Sequence, residues 1–575
     1  MSKRKLSTVS VGLAVALAML LMMVGCGPSE QPASSPAGGP SGGAQGQQPE
    51  SGGKATLEVA KERGGKFVMS GSVFGNPNDP HLVIAGSARN YSPPVANGLL
   101  TRDIQDPKNP IVEDLAKSWE ISKDGKTYTF KLHQGVKFHN VAPVNGRELT
   151  SEDAKYSLMR MMADPSVIVE KWRPRYQRAT EFPKLTIDTP DKYTLVINLE
   201  EPFAPLLDSI AYVSSLILPR EFVEQFPEKV ILEGLIGTGP FMPVDYRHQQ
   251  LATYRKNPDY WKKDSQGGQL PYLDGVDIVL FGDAQAAVAA FRARQIDVFT
   301  PNKTNMDVLK KEIPNAKPYI STTAHYLRIV INVTAKPFDD VRVRRAMHLA
   351  VDRQQIRDII GDGITTISGP VTSPLYPDVA NTMDWLMSQP GYRQPKTQDI
   401  AEAKRLMKEA GYENGFTVEF LGQATDADTG ALLADQLKPL NIAVKVQVLD
   451  YNGIIVPRAT NGEYQMATAI GTVVGADVDS VLAPGFTTGG SRNYSRYSNP
   501  AFDDLVRKEQ RALTIEERRK YSQEAEKLLL EEAPAIWTTT SIGLMLAQPW
   551  VHNANRGIGA GSEYQMFGNV WMEKH

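Results

Sequence analysis

Residues 331–353 read INVTAKPFDDVRVRRAMHLAVDR. Asp339 and Asp340 offer side-chain acceptors to the unpaired N–H groups of a helix start. Behind them Ala346, Leu349, Ala350, Ile356 and Ile360 recur at helical spacing. The pattern predicts one helix that stops at Gly361. The same logic works outward from here. Thr514 with Glu517 starts a helix that turns Tyr521, Ala525, Leu528 and Leu529 inward and stops before Pro534. Thr150 with Asp153 caps another, with Ala154, Leu158, Met161 and Met162 as its apolar stripe. Between helices the period changes to two. In KTYTFKLHQGVKF (126–138), Tyr128, Phe130 and Leu132 share one face and Thr127, Thr129 and Lys131 the other, with a turn near Gln134-Gly135. YTLVINL (193–199) repeats the alternation, and these strands are expected in an antiparallel sheet with one wet face. The class is α/β with mixed α+β character, and 575 residues are too many for a single core.

Composition excludes several functions. Lys and Arg number 63 against 65 Asp and Glu, so no basic excess exists to hold a nucleic acid. One cysteine leaves no internal disulfide, no cysteine-cluster zinc site and no thiol redox pair. Lys3, Arg4 and Lys5 precede an apolar run, Val11 to Val24, of 14 residues, which suits a signal peptide (1–25) and is shorter than the roughly 20 residues of a membrane span. Met23-Val24-Gly25-Cys26 resembles the bacterial lipobox, with Met23 where leucine is usual, so Cys26 is the expected lipidation site. Residues 28–53, PSEQPASSPAGGPSGGAQGQQPESGG, bury too little to offset their ordering entropy and read as a flexible tether within a linker spanning 26–63.

The patterns of catalysis are missing from the sequence. None of the eight histidines sits in His-Glu-x-x-His, and there is no Gly-x-Ser-x-Gly elbow and no phosphate-cradling loop. His133 and His139 flank one turn and raise the question of a shared metal; a strand-end and an exposed loop histidine explain them better. Asp477 and Asp479 look like half of a calcium loop without its Gly and closing Glu. No enzyme activity, metal or cofactor is expected.

Longer stretches carry a resemblance. NGLLTRD (97–103), EDLAKSWEISKDGKTYTFKLHQGVKFHN (113–140), TSEDAKYSLMR (150–160), GTGPF (237–241), KNPDYW (256–261), PYLDGVDI (271–278), INVTAKPFDDVRVRRAMHLAVDR (331–353) and RYSNPAFDDLVRKEQ (496–510) resemble, in order, the landmarks of the family 5 solute-binding proteins. Those are extracytoplasmic receptors of ABC importers for peptides, nickel and other solutes. The resemblance implies a periplasmic-binding-protein-like, two-lobed fold of the large class, with an extra domain inserted in the first lobe. Lobe I would take 64–96, 225–325 and 545–575, the extra domain 97–224, and lobe II 326–544. It further implies a monomeric receptor that encloses a peptide or related polar solute and delivers it to a permease with ATPase subunits, tied to the membrane through Cys26. A sensing lipoprotein on the same scaffold, or a binder of an oligosaccharide or nickel complex, are the alternatives.

Ligand-wall candidates follow from family positions: Phe74, Asn76 and Asp79 in SVFGNPND (72–79), Trp172 and Tyr176 from the extra domain, and Gly471, Thr472, Val474 and Asp477 in lobe II. Peptide-binding members typically pair an aspartate with the peptide α-amine just before an Asp-Pro-Asp-like stretch. If Asp477-Val478-Asp479 is that stretch, the aspartate is replaced by Val474. Either Asp477 then serves in its stead, or the ligand has no free amine there, since a buried ammonium without a carboxylate is costly.

Overall fold

A computed structural model describes residues 57–71, 79–81, 92, 94–106, 109–162, 183–212, 215–226, 234–247, 250–361, 365–371, 375–468, 477–555 and 563–574. The leader, Cys26, the 28–53 tether and the wall candidates Phe74, Asn76, Trp172, Tyr176, Gly471, Thr472 and Val474 lie outside them. Eleven strands of the described residues form one mixed sheet. Ten of them follow one path: Ala443–Val448, Thr417–Gly422, Met466–Thr468, Lys317–Ile331, Ala535–Ala547, Val298–Phe299, Lys66–Ser70, Gly275–Val279, Leu251–Lys256 and Phe241–Arg247. Thr366–Ile367 joins at the side, on Ala535–Ala547. Helices in the chain alternate with these strands, which is why parallel and antiparallel pairs coexist.

Hydrophobic cores divide along that path. One group draws on residues 67–316 together with 544–572. The other draws wholly on residues 329–537. The two long strands Lys317–Ile331 and Ala535–Ala547 pair antiparallel and run from one half into the other. Their register slips between Thr322 and Tyr326 and again between Tyr326 and Arg328.

A separate four-stranded antiparallel sheet, ordered Ala116–Ile121, Thr127–Leu132, Thr194–Leu199, Leu185–Asp191, belongs to the first half. Tyr128, Phe130 and Leu132 are buried on it while Lys131 faces solvent, as the period of two requires. Helix Ser151–Met161 starts with a complete capping box between Thr150 and Asp153, and its stripe Ala154, Leu158, Met161 is buried. Helix Ile515–Glu532 is capped by Thr514 and closes at Ala533, just before Pro534.

Two expectations need correction. The stretch led by Asp340 is two helices, Val341–Ala350 and Arg353–Ile359, because Val351 is extended and Asp352 accepts from Gln354 and Gln355 N–H to start the second. His139 is buried, not an exposed loop residue: its Nε2–H donates to Gly239 O (3.1 Å) and its Nδ1 accepts from Gly237 N (3.4 Å). Burial holds its pKa at about 4, so it stays neutral with both nitrogens occupied.

His139 reads the GTGPF turn from one side, and Val95 reads it from the other. A Cβ on Gly237 would sit 2.3 Å from Val95 O, and one on Gly239 2.4 Å from Val95 C. Only glycine permits that approach, which Gly239 N–H to Val95 O (2.8 Å) then fastens.

Candidate functional site

The place to look is where the halves meet beyond the two shared strands. Strand-following residues of the first half, Glu201 to Ala204, face the turn that links helix Pro500–Arg511 to helix Ile515–Glu532. Ala204 N–H donates to Gln510 O (2.7 Å). Arg511 pairs with Glu201, and Leu513 lies against Gly125. Beside these contacts a crevice of about 400 Å³ opens between the halves, with Glu201 and Phe203 on one wall and Pro484, Thr487, Asp503 and Arg507 on the other.

Asp477 stands at the start of helix Asp479–Phe486, where its Oδ1 accepts from Asp479 N–H (2.9 Å). Its side chain is 12% exposed. Both oxygens take a bidentate pair of hydrogen bonds from Arg518 Nη1 and Nη2, each 2.7 Å. Arg518 is shared, since its Nε donates to Glu509 Oε1 (2.8 Å). Glu509 is fully buried and its Oε2 has no hydrogen-bond partner. Burial works to raise the Asp477 carboxyl, and Arg518 outweighs it and holds it below the usual range. The Glu509 carboxyl is raised by burial; Arg518 opposes this, and the Asp477 charge adds to it. Both Asp477 oxygens, the expected partner of a ligand amine, are thus engaged by Arg518.

Asp79 is likewise engaged. Arg160 donates from Nη1 (2.9 Å) and Nη2 (2.6 Å) to its two oxygens, and all three of Asp79, Arg160 and His81 are buried. His81 donates from Nε2 to Leu216 O (2.8 Å) and accepts at Nδ1 from Arg160 (2.9 Å). That tautomer is neutral. Burial and the Arg160 charge hold the ring at about pKa 4. The pair fastens Asp79, one of the wall candidates, to helix Ser151–Met161. Arg160, His81, Arg518 and Glu509 are not marked as site residues by the sequence pattern. Their signal was weak, because each charged residue looked like ordinary solvated surface and its partner is distant in sequence.

Among the described residues no group of three or more His, Cys, Asp or Glu could hold a metal ion. No helix among them is long and apolar enough to cross a membrane.

Two cores joined by paired strands, an inserted sheet, and an opening between halves are the architecture of a receptor that encloses its solute. The family model for bacterial extracellular solute-binding proteins, family 5, matches residues 110–493, more than half of the chain. The chain belongs to that family. A family 5 relative, the heme-binding protein A of Haemophilus influenzae, is 29% identical over 493 residues, covering 82% of this chain and 86% of the relative. The dipeptide-binding protein of Escherichia coli is 28% identical over 483 residues, covering 80% and 86%. Among solved structures, the periplasmic binding protein DppA of Helicobacter pylori, in complex with the peptide STSA, superposes with a TM-score of 0.75 at 24% identity, over 89% of this chain and 99% of its own. The binding protein AgaA of A. tumefaciens R10, in complex with agropinic acid, gives 0.71 at 23%, over 89% and 99%. The family 5 fold, two-lobed and mixed α/β, is thereby established for this chain, and with it an extracytoplasmic solute-binding role.

Proposed function

We propose that this chain is the receptor of an ABC importer, that it captures a peptide or closely related polar solute between its lobes, and that it hands the solute to a membrane permease driven by ATPase subunits. The observation that carries the reading is the family match over a chain whose halves share two long strands and meet again at Ala204 and Gln510. A solute touching both halves favours the closed form by its difference in affinity for the two states, and nothing else is needed to drive closure. Relatives named for dipeptides and for di- and tripeptides support a peptide. The lobes take 64–96 with 225–325 and 545–575, and 326–544, with 97–224 inserted; the division of the cores supports this partition. Lipidation at Cys26 and the 28–53 tether complete the reading: a monomer anchored to the cell membrane, facing the periplasm or cell exterior, and free to reorient.

A second reading of the ligand has its own observation. Asp477 is bound to Arg518 and position 474 is valine, so the carboxylate that receives a peptide α-amine is missing from both places. That favours a solute without a free amine. Native mass spectrometry of the purified chain identifies what copurifies, and calorimetry with di- to pentapeptides, free and N-acetylated, separates the readings. Tight binding of free peptides with at least tenfold loss on acetylation supports the amine-binding site. Equal or better binding of the acetylated set supports the second reading, and no binding of either set removes the peptide.

A further inference from the structure

Away from the opening between the halves, helices Val341–Ala350, Thr397–Glu409 and Ile515–Glu532 enclose a second cavity of about 600 Å³. That volume falls within the range of small-molecule sites. Leu349, Leu530 and Pro390 give it an apolar floor, and four cations stand around it. Two of these are already paired: Arg393 with Asp399 at 2.6 Å, and Arg405 with Glu402 at 2.6 Å. The other two, Arg345 and Lys527, come from different helices and both line the cavity. Among the described residues of the second half, Arg345 is the one arginine with neither a hydrogen-bond nor an ion-pair partner. Two acids line the cavity with them: Glu402, which pairs with Arg405 and also feels the Arg345 charge, and Glu531, one turn beyond Lys527 on the same helix.

What lies under the floor adds to the positive field. His348 lines the cavity, and the buried Arg353 donates to it from Nη2 (3.0 Å) while bonding otherwise to main-chain carbonyls, with no carboxylate in contact. Burial, then the charges of Arg353, Lys396 and Arg345, hold the His348 ring well below its usual pKa. An anion entering here meets two cationic heads, a buried guanidinium below whose hydrogen bonds go to main-chain carbonyls, and an apolar surface for the rest of its body.

We propose that this cavity is a second binding site, for an amphipathic oxyanion: a phosphate or carboxylate head on Arg345 and Lys527, a short apolar body on Leu349 and Leu530. A guanidinium and an ammonium on separate helices suit such a head, because charge-assisted hydrogen bonds reach it from two directions. The site is separate from the crevice beside Ala204 and Gln510 and does not depend on which solute the receptor takes.

The test is calorimetry of the full chain with octyl phosphate and with inorganic phosphate, repeated on the Arg345→Ala/Lys527→Ala double variant. Both side chains are exposed and unpaired, and an unchanged melting temperature checks that the variant is folded. The expected result is saturable octyl phosphate binding, at least tenfold weaker in the variant, with inorganic phosphate at least tenfold weaker than octyl phosphate. Equal octyl phosphate affinity in both proteins places the probe elsewhere and overturns the proposal, as does the absence of binding. Equal affinity for both probes overturns the apolar part. Flotation with phosphatidylglycerol against phosphatidylcholine vesicles then assigns the source. Binding to the anionic vesicles that is lost in the variant points to a lipid headgroup; its absence, beside octyl phosphate binding, points to a soluble amphiphile.

Discussion

Arg353 and Arg518 are both largely buried arginines of the second half, and their surroundings are opposites. Arg353 bonds to the carbonyls of Trp537 (2.7 Å), Gly391 (2.6 Å), Val351 (3.1 Å) and His348 (3.2 Å) and stacks on Tyr392 with 4.1 Å to the ring centre. Dipoles and a π face hold it, and carboxylates reach it only at longer range, from Asp399 and Asp352. Arg518 has two carboxylates to itself, Asp477 and Glu509, and its surroundings carry excess negative charge. The neighbours answer accordingly. Burial and Arg353 push Lys396 down to about 8, while Glu509 is pushed up. Between them stands Arg160, balanced one to one by Asp79. The number of carboxylates around a buried guanidinium thus sets which neighbours hold protons.

Removing each cation exposes the difference. Arg518→Met should have the largest effect, destabilising by about 3–5 kcal/mol near neutral pH, because it leaves two buried carboxylates facing each other. Chemical denaturation should show that loss shrinking toward pH 5 as a carboxylate takes up a proton. A loss independent of pH would break the comparison. Arg353→Met should be comparably destabilising, through several buried carbonyls left without donors. Its distinguishing sign is at Lys396: with the neighbouring cation gone, its ammonium should titrate well above about 8 by NMR.

A milder change sharpens the same point. Glu509 has its folded pKa raised above the unfolded value, so wild-type stability should fall as pH rises from the unfolded pKa through the folded one. Glu509→Gln should lose that slope, ending more stable than wild type at pH 8 and converging with it near pH 4. Melting curves across this window decide it. The smallest effect belongs to Arg511→Ala, which removes the exposed pair with Glu201 across the halves. Stability should change by no more than about 0.5 kcal/mol, yet solute dissociation should quicken a few-fold in stopped-flow if that contact helps hold the halves together.

How legible this was from sequence depended on the range of each interaction. The caps Thr150–Asp153 and Thr514–Glu517 act over three residues, and the alternation in Tyr128, Phe130 and Leu132 over five, so a local pattern carries them whole. The break at Val351 was hidden because Leu349, Ala350 and Ile356 keep their helical spacing across it, although Asp352 was there as a second cap. Ser522 and Glu526 are buried within helix Ile515–Glu532, where the sequence shows a polar face. Glu526 is held by Val371 and Asn381 N–H groups more than a hundred residues away, and burial lifts its pKa to about 7. At the site the engagement of Asp79 and Asp477 was not legible, since each is decided by an arginine that local pattern cannot connect to it.

The slips in register between the two long strands give the molecule a joint without a loop. Lys317–Thr322 stays laddered to Ile542–Ala547, and Arg328–Val330 to Ala535–Trp537. The residues between them follow a looser rhythm, as a bulge does where a strand must turn. A beam stiff at both ends and compliant in a short middle section concentrates bending in one place, so strain between the halves would gather there while the hydrogen-bonded ends stay intact.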